Sequence, residues 1–170
     1  ATTDVEFYLK GDGNGTCDGS WSGGGADYAE YFEWADGNSA KEDRIGTSVV
    51  LDENMIRAAT GDDAAATIIG VVSGNPVVIG DTAWNKWHGK HLRRKVNPEW
   101  VEMVELGEDG QPIKDLNGAT ISKYVPREDR PEWDAIGLMG KLRIRKGQPT
   151  GDRWIKMRDI SDHVEEWLVR

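Results

Sequence analysis

Residues 27–34 read DYAEYFEW, and the secondary structure of this octapeptide decides what the chain can do. Tyr28, Tyr31 and Phe32 stand at helical spacing, but eight residues are too few to separate a helical period from a strand period, so both stay open. The segment ADGN that follows ends the element either way. On a helical turn Asp27 and Glu30, three apart, share one face. Two close carboxyl groups can share one proton, which drives their pKa values apart and supplies an acid and a base together. The competing interpretation is a solvated acidic first turn, which the helix dipole alone favours.

On the N-terminal side, residues 5–9 suit a strand, and GDGNGTCDGSWSGGG, residues 11–25, is a Gly/Asp/Asn/Ser tract with a tight turn at GDGNG. We place a boundary near Gly25, with an extended lead-in over residues 1–25 and one domain over 26–170. On the C-terminal side, residues 47–51, 67–73 and 76–79 are β-branched-rich runs bounded by Gly, Asp or Asn. GVVSGNPVVIG, residues 70–80, reads as two buried strands joined at SGNP. Residues 82–94 are either a short helix broken at Gly89 or an exposed loop. Residues 101–106 and 113–114 flank a hairpin turn at EDGQP, and residues 137–145 and 154–160 alternate as strands. Ser161 is expected to cap a final turn, with Glu165 and Glu166 following. The fold class is mainly β with one or two short helices, an antiparallel sheet domain behind a Gly-rich lead-in.

The 170 residues carry 30 Asp and Glu against 21 Lys and Arg, a net charge of −9, which argues against a phosphate-backbone binder. One cysteine, Cys17, cannot make an internal disulfide, and an intracellular setting is expected. No run approaches the length of a membrane span, so neither nucleic acid nor membrane is an expected partner. Only 38% of the residues are hydrophobic, yet 8 are tryptophan, six of them beside charged residues. Amphipathic rings of that kind line surfaces where subunits meet, so part of the core is expected to be shared between chains.

Other motifs carry less chemistry. GDGNGTCDG lacks the strand, helix and GK[ST] that a phosphate loop needs. His88 and His91, with Asp81, are a weak metal set divided by Gly89. The basic residues around them, Lys86, Lys90, Arg93, Arg94 and Lys95, better suit acidic groups on a partner subunit. Nothing places Cys17 or a serine beside a base, and no cofactor is expected. Arg127, Arg130 and Trp133 either anchor ion pairs and packing across subunits or belong to a solvated charged loop.

Four motifs in order, GGADYAEYFEWADGN, EDRIG, IIGVVSGNPVVIGDTAWNKWHGKHLR and YVPREDRPEWDAIGLMGKL, resemble the C-terminal autoproteolytic intramolecular-chaperone domain of phage tail spikes and pre-neck appendage proteins. The resemblance covers about residues 24–142 and fades toward Arg170. It implies a homotrimer at the end of a viral fibre or spike, which brings the preceding β-structured shaft into register and then cuts itself off. The first 25 residues would end that shaft, the cut would fall between Ala26 and Asp27, and Asp27 and Glu30 would be the catalytic carboxylates. The implied setting is the host cell cytoplasm during assembly, and the virion if the domain is retained. The competing function is a permanent structural or receptor-binding fibre tip. A glycan hydrolase built on Asp27 and Glu30 lacks the open sugar-lined cleft that such chemistry needs.

Overall fold

The computed structural model describes residues 6–12, 14–82, 93–96, 99–123 and 125–170. DYAEYFE forms a strand, β3 (Asp27–Glu33), not a helix. Before it lie β1 (Phe7–Leu9) and β2 (Gly15–Cys17), and after it β4 (Ser48–Asp52), β5 (Met55–Ala58), β6 (Ile68–Val72) and β7 (Val78–Gly80). Then come β8 (Arg93–Val96), β9 (Glu99–Glu102), β10 (Trp133–Arg145), β11 (Ile155–Asp159) and β12 (Val164–Val169). The expected short helices shrink, among the described residues, to two single 3-10 turns, Ala65–Thr67 and Arg127–Asp129.

Eight strands form the main sheet, with β10 at its centre. One edge of β10 pairs with β3, from Trp133 opposite Glu33 to Gly140 opposite Asp27. Its other edge is shared, β6 taking Ile136 and Gly137 and β12 taking Gly140 to Arg145. β4 joins β6 to β5, and a bridge from Trp34 to Ile56 brings the end of β3 onto β5. The strands therefore ring one cluster, Trp34, Val49, Ile56, Val72 and Ile136. Each such side chain withdrawn from water contributes about 1.5–3 kcal/mol. The Trp34 indole reaches a partner despite its burial, donating to Asp134 Oδ2 at 2.7 Å. A second cluster, Val71, Leu142, Ile144 and Val169, fills the space under β12 with Trp154 and Trp167 against it.

Three expectations change. The second strand of GVVSGNPVVIG is exposed, and β7 runs parallel to β3 instead of pairing back onto β6, so the sheet is mixed. The final turn is absent: Ser161 Oγ accepts from the His163 amide within a hairpin, and β12 follows. Its Glu165 and Glu166 meet Lys156 and Arg158 of β11 at 2.7 and 2.8 Å, so the acidic pair serves a cross-strand ladder. β1 and β2 pair antiparallel in a separate two-stranded sheet, and Asp12 Oδ1 accepts from the Asn14 amide at 3.0 Å. Residues 83–92, where the broken helix or loop was expected, lie outside the described residues.

Candidate active site

Along β3, Asp27, Ala29, Tyr31 and Glu33 are buried while Tyr28, Glu30 and Phe32 are half-buried. Strand alternation sends residues three apart to opposite faces, so the shared helical face expected for Asp27 and Glu30 does not exist within one chain. Glu30 instead accepts a hydrogen bond from the Tyr28 hydroxyl on the face turned toward β7, which pushes the Tyr28 pKa up.

Asp27 turns inward against β10. The pairing of β3 and β10 shifts register between Gly137 and Met139, and two glycines flank the irregularity. A Cβ on Gly137 would stand 2.8 Å from Asp27 Oδ2. Gly140 has φ +118, and a Cβ there would sit on the Ala26 carbonyl oxygen and 2.8 Å from Asp27 Cα. Only glycine lets the central strand come this close.

The peptide bond between Ala26 and Asp27 is consequently held on both sides. The Lys141 amide donates to the Ala26 carbonyl oxygen at 3.3 Å, and the Val77 amide donates to the Asp27 carbonyl oxygen at 2.9 Å. The Asp27 carboxyl is 5% exposed, and its Oδ2 has no hydrogen-bond partner. Burial raises its pKa, and the nearby Ser73 side chain offsets this only in part. A carboxyl group biased toward its acid form therefore stands beside a bond whose carbonyl accepts from an amide.

This bond lies in a cleft of about 390 Å³, lined further by Ser73, Asn75, Lys141, Arg143 and Glu166. Glu166 is buried, and its bond to Arg158 holds its pKa below the usual carboxylate range. The cleft thus contains one carboxyl group biased toward its acid form and one biased toward its ionised form, the combination that amide hydrolysis uses.

Elsewhere, Arg127 and Arg130 are 3% and 2% exposed, which removes the solvated-loop interpretation. Arg127 stacks 3.9 Å over the Trp133 ring and bonds Asp81 at 2.7 Å, while Arg130 pairs with Glu132 at 2.7 Å. Asp81 is therefore engaged by Arg127, and among the described residues no three His, Cys, Asp or Glu side chains form a metal-binding group. His88 and His91 fall outside the described residues, and Arg93 opens β8 in register with Glu102. Ser73, Lys141 and Glu166 were not singled out from sequence as site residues. The available signal was GLMGKL: two glycines inside an alternating strand mark a bulge or a close backbone approach.

Comparison with known proteins adds a family. The model of Peptidase_G2, the IMC autoproteolytic cleavage domain, matches residues 4–167. The pre-neck appendage protein of Bacillus phage B103 is 31% identical over 142 residues, which cover 81% of this chain but 15% of that protein. The chain thus corresponds to a small part of such a relative. Its fold matches the crystal structure of pre-mature bacteriophage phi29 gene product 12 with TM-score 0.66 and 22% identity, over 97% of this chain and 24% of the other. The crystal structure of the C-terminal fragment of that gene product matches with TM-score 0.55 and 25% identity, over 85% of this chain and all of the fragment.

Proposed function

The chain belongs to the IMC autoproteolytic cleavage domain family, and from that premise we propose that it is the self-releasing chaperone of a phage appendage, cutting its own backbone between Ala26 and Asp27. Before the cut it trimerises and aligns the shaft to which residues 1–25 belong. It would act in the host cytoplasm during assembly, with the shaft carried into the virion. The observation that carries this reading is the buried Asp27 carboxyl, its Oδ2 without a hydrogen-bond partner, on a bond whose carbonyl accepts from the Lys141 amide.

The chemistry follows from those positions. A carboxylate takes a proton from water, and the hydroxide oxygen bonds to the Ala26 carbonyl carbon. The Lys141 amide stabilises the oxyanion that forms. The protonated Asp27 side chain gives its proton to its own backbone nitrogen as the bond between that nitrogen and the Ala26 carbon breaks. The new Ala26 carboxyl group returns its proton to Asp27, the base passes its own to the freed amine, and the products are an Ala26 carboxylate and an Asp27 ammonium group, with no cofactor in the balance.

We assign the water-activating carboxylate to Glu30 of a neighbouring copy, because Glu30 faces away from the Asp27 of its own chain. Cutting would then wait for correct assembly, with the basic stretch of His88, His91 and Arg93 and the Trp133 region contributing to contacts between copies. A second reading is carried by Glu166, which already lines the cleft in an ionised state and needs no neighbour.

Intact mass after denaturation, on fresh and aged protein, tests both levels. The expected result is a fragment beginning at Asp27 from the wild type and none from Glu30→Gln. Loss in Glu166→Gln with retention in Glu30→Gln transfers the base to Glu166. A persistent single uncut species, of 18.8 kDa for this chain and of full length when the natural shaft is present, overturns the proposal in favour of a permanent fibre tip.

A further inference from the structure

The segment that enters the cleft crosses the turn between β6 and β7 at close range. A Cβ on Gly25 would overlap the Asn75 carbonyl oxygen and stand 2.5 Å from both the Pro76 carbonyl carbon and the Val77 nitrogen. A Cβ on Gly23 would overlap Val77 Cγ2, whereas one on Gly24 would meet nothing within 4 Å. We propose that residues 73–77 form a strap that reads the residues before the cut, admitting only glycine at the second and fourth positions, Gly25 and Gly23, and leaving the third, Gly24, free. This inference rests on the proposed cut between Ala26 and Asp27.

The strap is held in place at both ends. The Ser73 amide donates to the Ala135 carbonyl at 2.8 Å, and the Val77 amide donates to the Asp27 carbonyl at 2.9 Å. Pro76 has a fixed φ, which stiffens the turn between them. At the second position the obstacle is backbone, which has no rotamer to change. At the fourth it is one methyl group of Val77.

The spacing makes the strap a register check. If the chain slips by one residue toward the strap, Ala26 takes the place of Gly25, and its methyl meets the Asn75 carbonyl. If it slips the other way, Ser22 takes the place of Gly23, and its side chain meets Val77. In SGGGA, residues 22–26, only the native alignment puts glycine at both gauged positions and Ala26 at the bond. A displacement of the reacting atoms by about 1 Å costs on the order of 100-fold in rate, so a slipped chain is cut slowly and at no alternative bond.

Time-resolved intact mass on single variants of the whole chain, with thermal melting alongside, tests this. Gly25→Ala and Gly23→Ala should slow the cut by about 100-fold, the effect of displacing a reacting bond, while Gly24→Ala should not slow it. Val77→Ala keeps the backbone amide and removes the obstructing methyl, so it should restore cutting to Gly23→Ala and leave Gly25→Ala slow. Equal rates for all three glycine variants against a wild type that cuts would overturn the strap and leave the cut standing. Failure of Val77→Ala to rescue Gly23→Ala at an unchanged melting temperature would also overturn it. A wild type that does not cut at Asp27 removes the reading on which the inference rests.

Discussion

The cleft at Asp27 and the cleft beside Trp34 are both lined by carboxylates and arginines, and they treat charge in opposite ways. In the cleft of about 750 Å³ beside Trp34, Arg44 bonds both oxygens of Asp36 at 3.0 and 2.7 Å, meets Glu42 at 2.9 Å, and stacks 4.3 Å from the Trp34 ring centre. The Arg44 guanidinium holds the Asp36 carboxyl below its ordinary pKa. At the proposed cut site the Asp27 carboxyl is withdrawn from water without a cation against it, and burial pushes its pKa up. A guanidinium beside a carboxylate favours its ionised form, while burial without a cation favours the acid form.

The largest effect expected from breaking this contrast is at Asp27 itself. Asp27→Asn cannot donate as an acid and should slow the cut by about 100-fold or more, the range for loss of general acid catalysis, read as the fragment fraction over time. Gly140→Ala comes next, because its Cβ would occupy the place of the Ala26 carbonyl oxygen and push the bond off the Lys141 amide. Loss of one oxyanion donor costs about 100-fold or more, and partial relaxation of β10 makes a loss of about 10-fold the lower bound expected here.

The pH dependence sharpens the same comparison. Cutting should weaken as pH rises through the raised pKa of Asp27, since the acid form is then lost. Stability follows the same sign: the folded chain holds that proton more tightly than the unfolded chain does. The contribution is present below the ordinary carboxylate pKa and is lost as pH climbs to the raised value. Asp36 runs the other way, its contribution present above the ordinary value and lost as pH falls through its lowered pKa. Melting temperatures across pH for Asp27→Asn and Asp36→Asn should therefore each lack the opposite limb of the wild-type curve. Smallest of all, Arg44→Ala should cost roughly 1 kcal/mol, since Asp36 and Glu42 are largely solvated. It should leave the cutting rate unchanged in the same mass assay.

The strands were legible where apolar runs are β-branched and bounded by turn residues. Residues 47–51, 67–73 and 137–145 fall on β4, β6 and the later part of β10. DYAEYFEW was not decided, because Tyr28, Tyr31 and Phe32 fit a helical face as readily as alternate positions. β12 was misjudged since Glu165 and Glu166 look like helix-capping acids until β11 supplies Lys156 and Arg158. The bond between Ala26 and Asp27 could be singled out along the chain, but its surroundings could not. Ser73, Lys141 and Glu166 reach it only through the pairing of β10 with β6, β3 and β12, and no local pattern encodes which strands become neighbours.

The position of the bond relative to the sheet also bears on what survives the reaction. β3 begins at Asp27, so every ladder of the eight-stranded sheet lies on the C-terminal side of the proposed cut. Hydrolysis would free the lead-in and leave every strand of the body whole, giving up only the terminal bond from the Lys141 amide to the Ala26 carbonyl oxygen. The daughter polypeptide would carry the entire instruction for its own shape. Expressed from Asp27 onward, it should refold from denaturant unaided, a property that a peptidase cutting within its own sheet would forfeit.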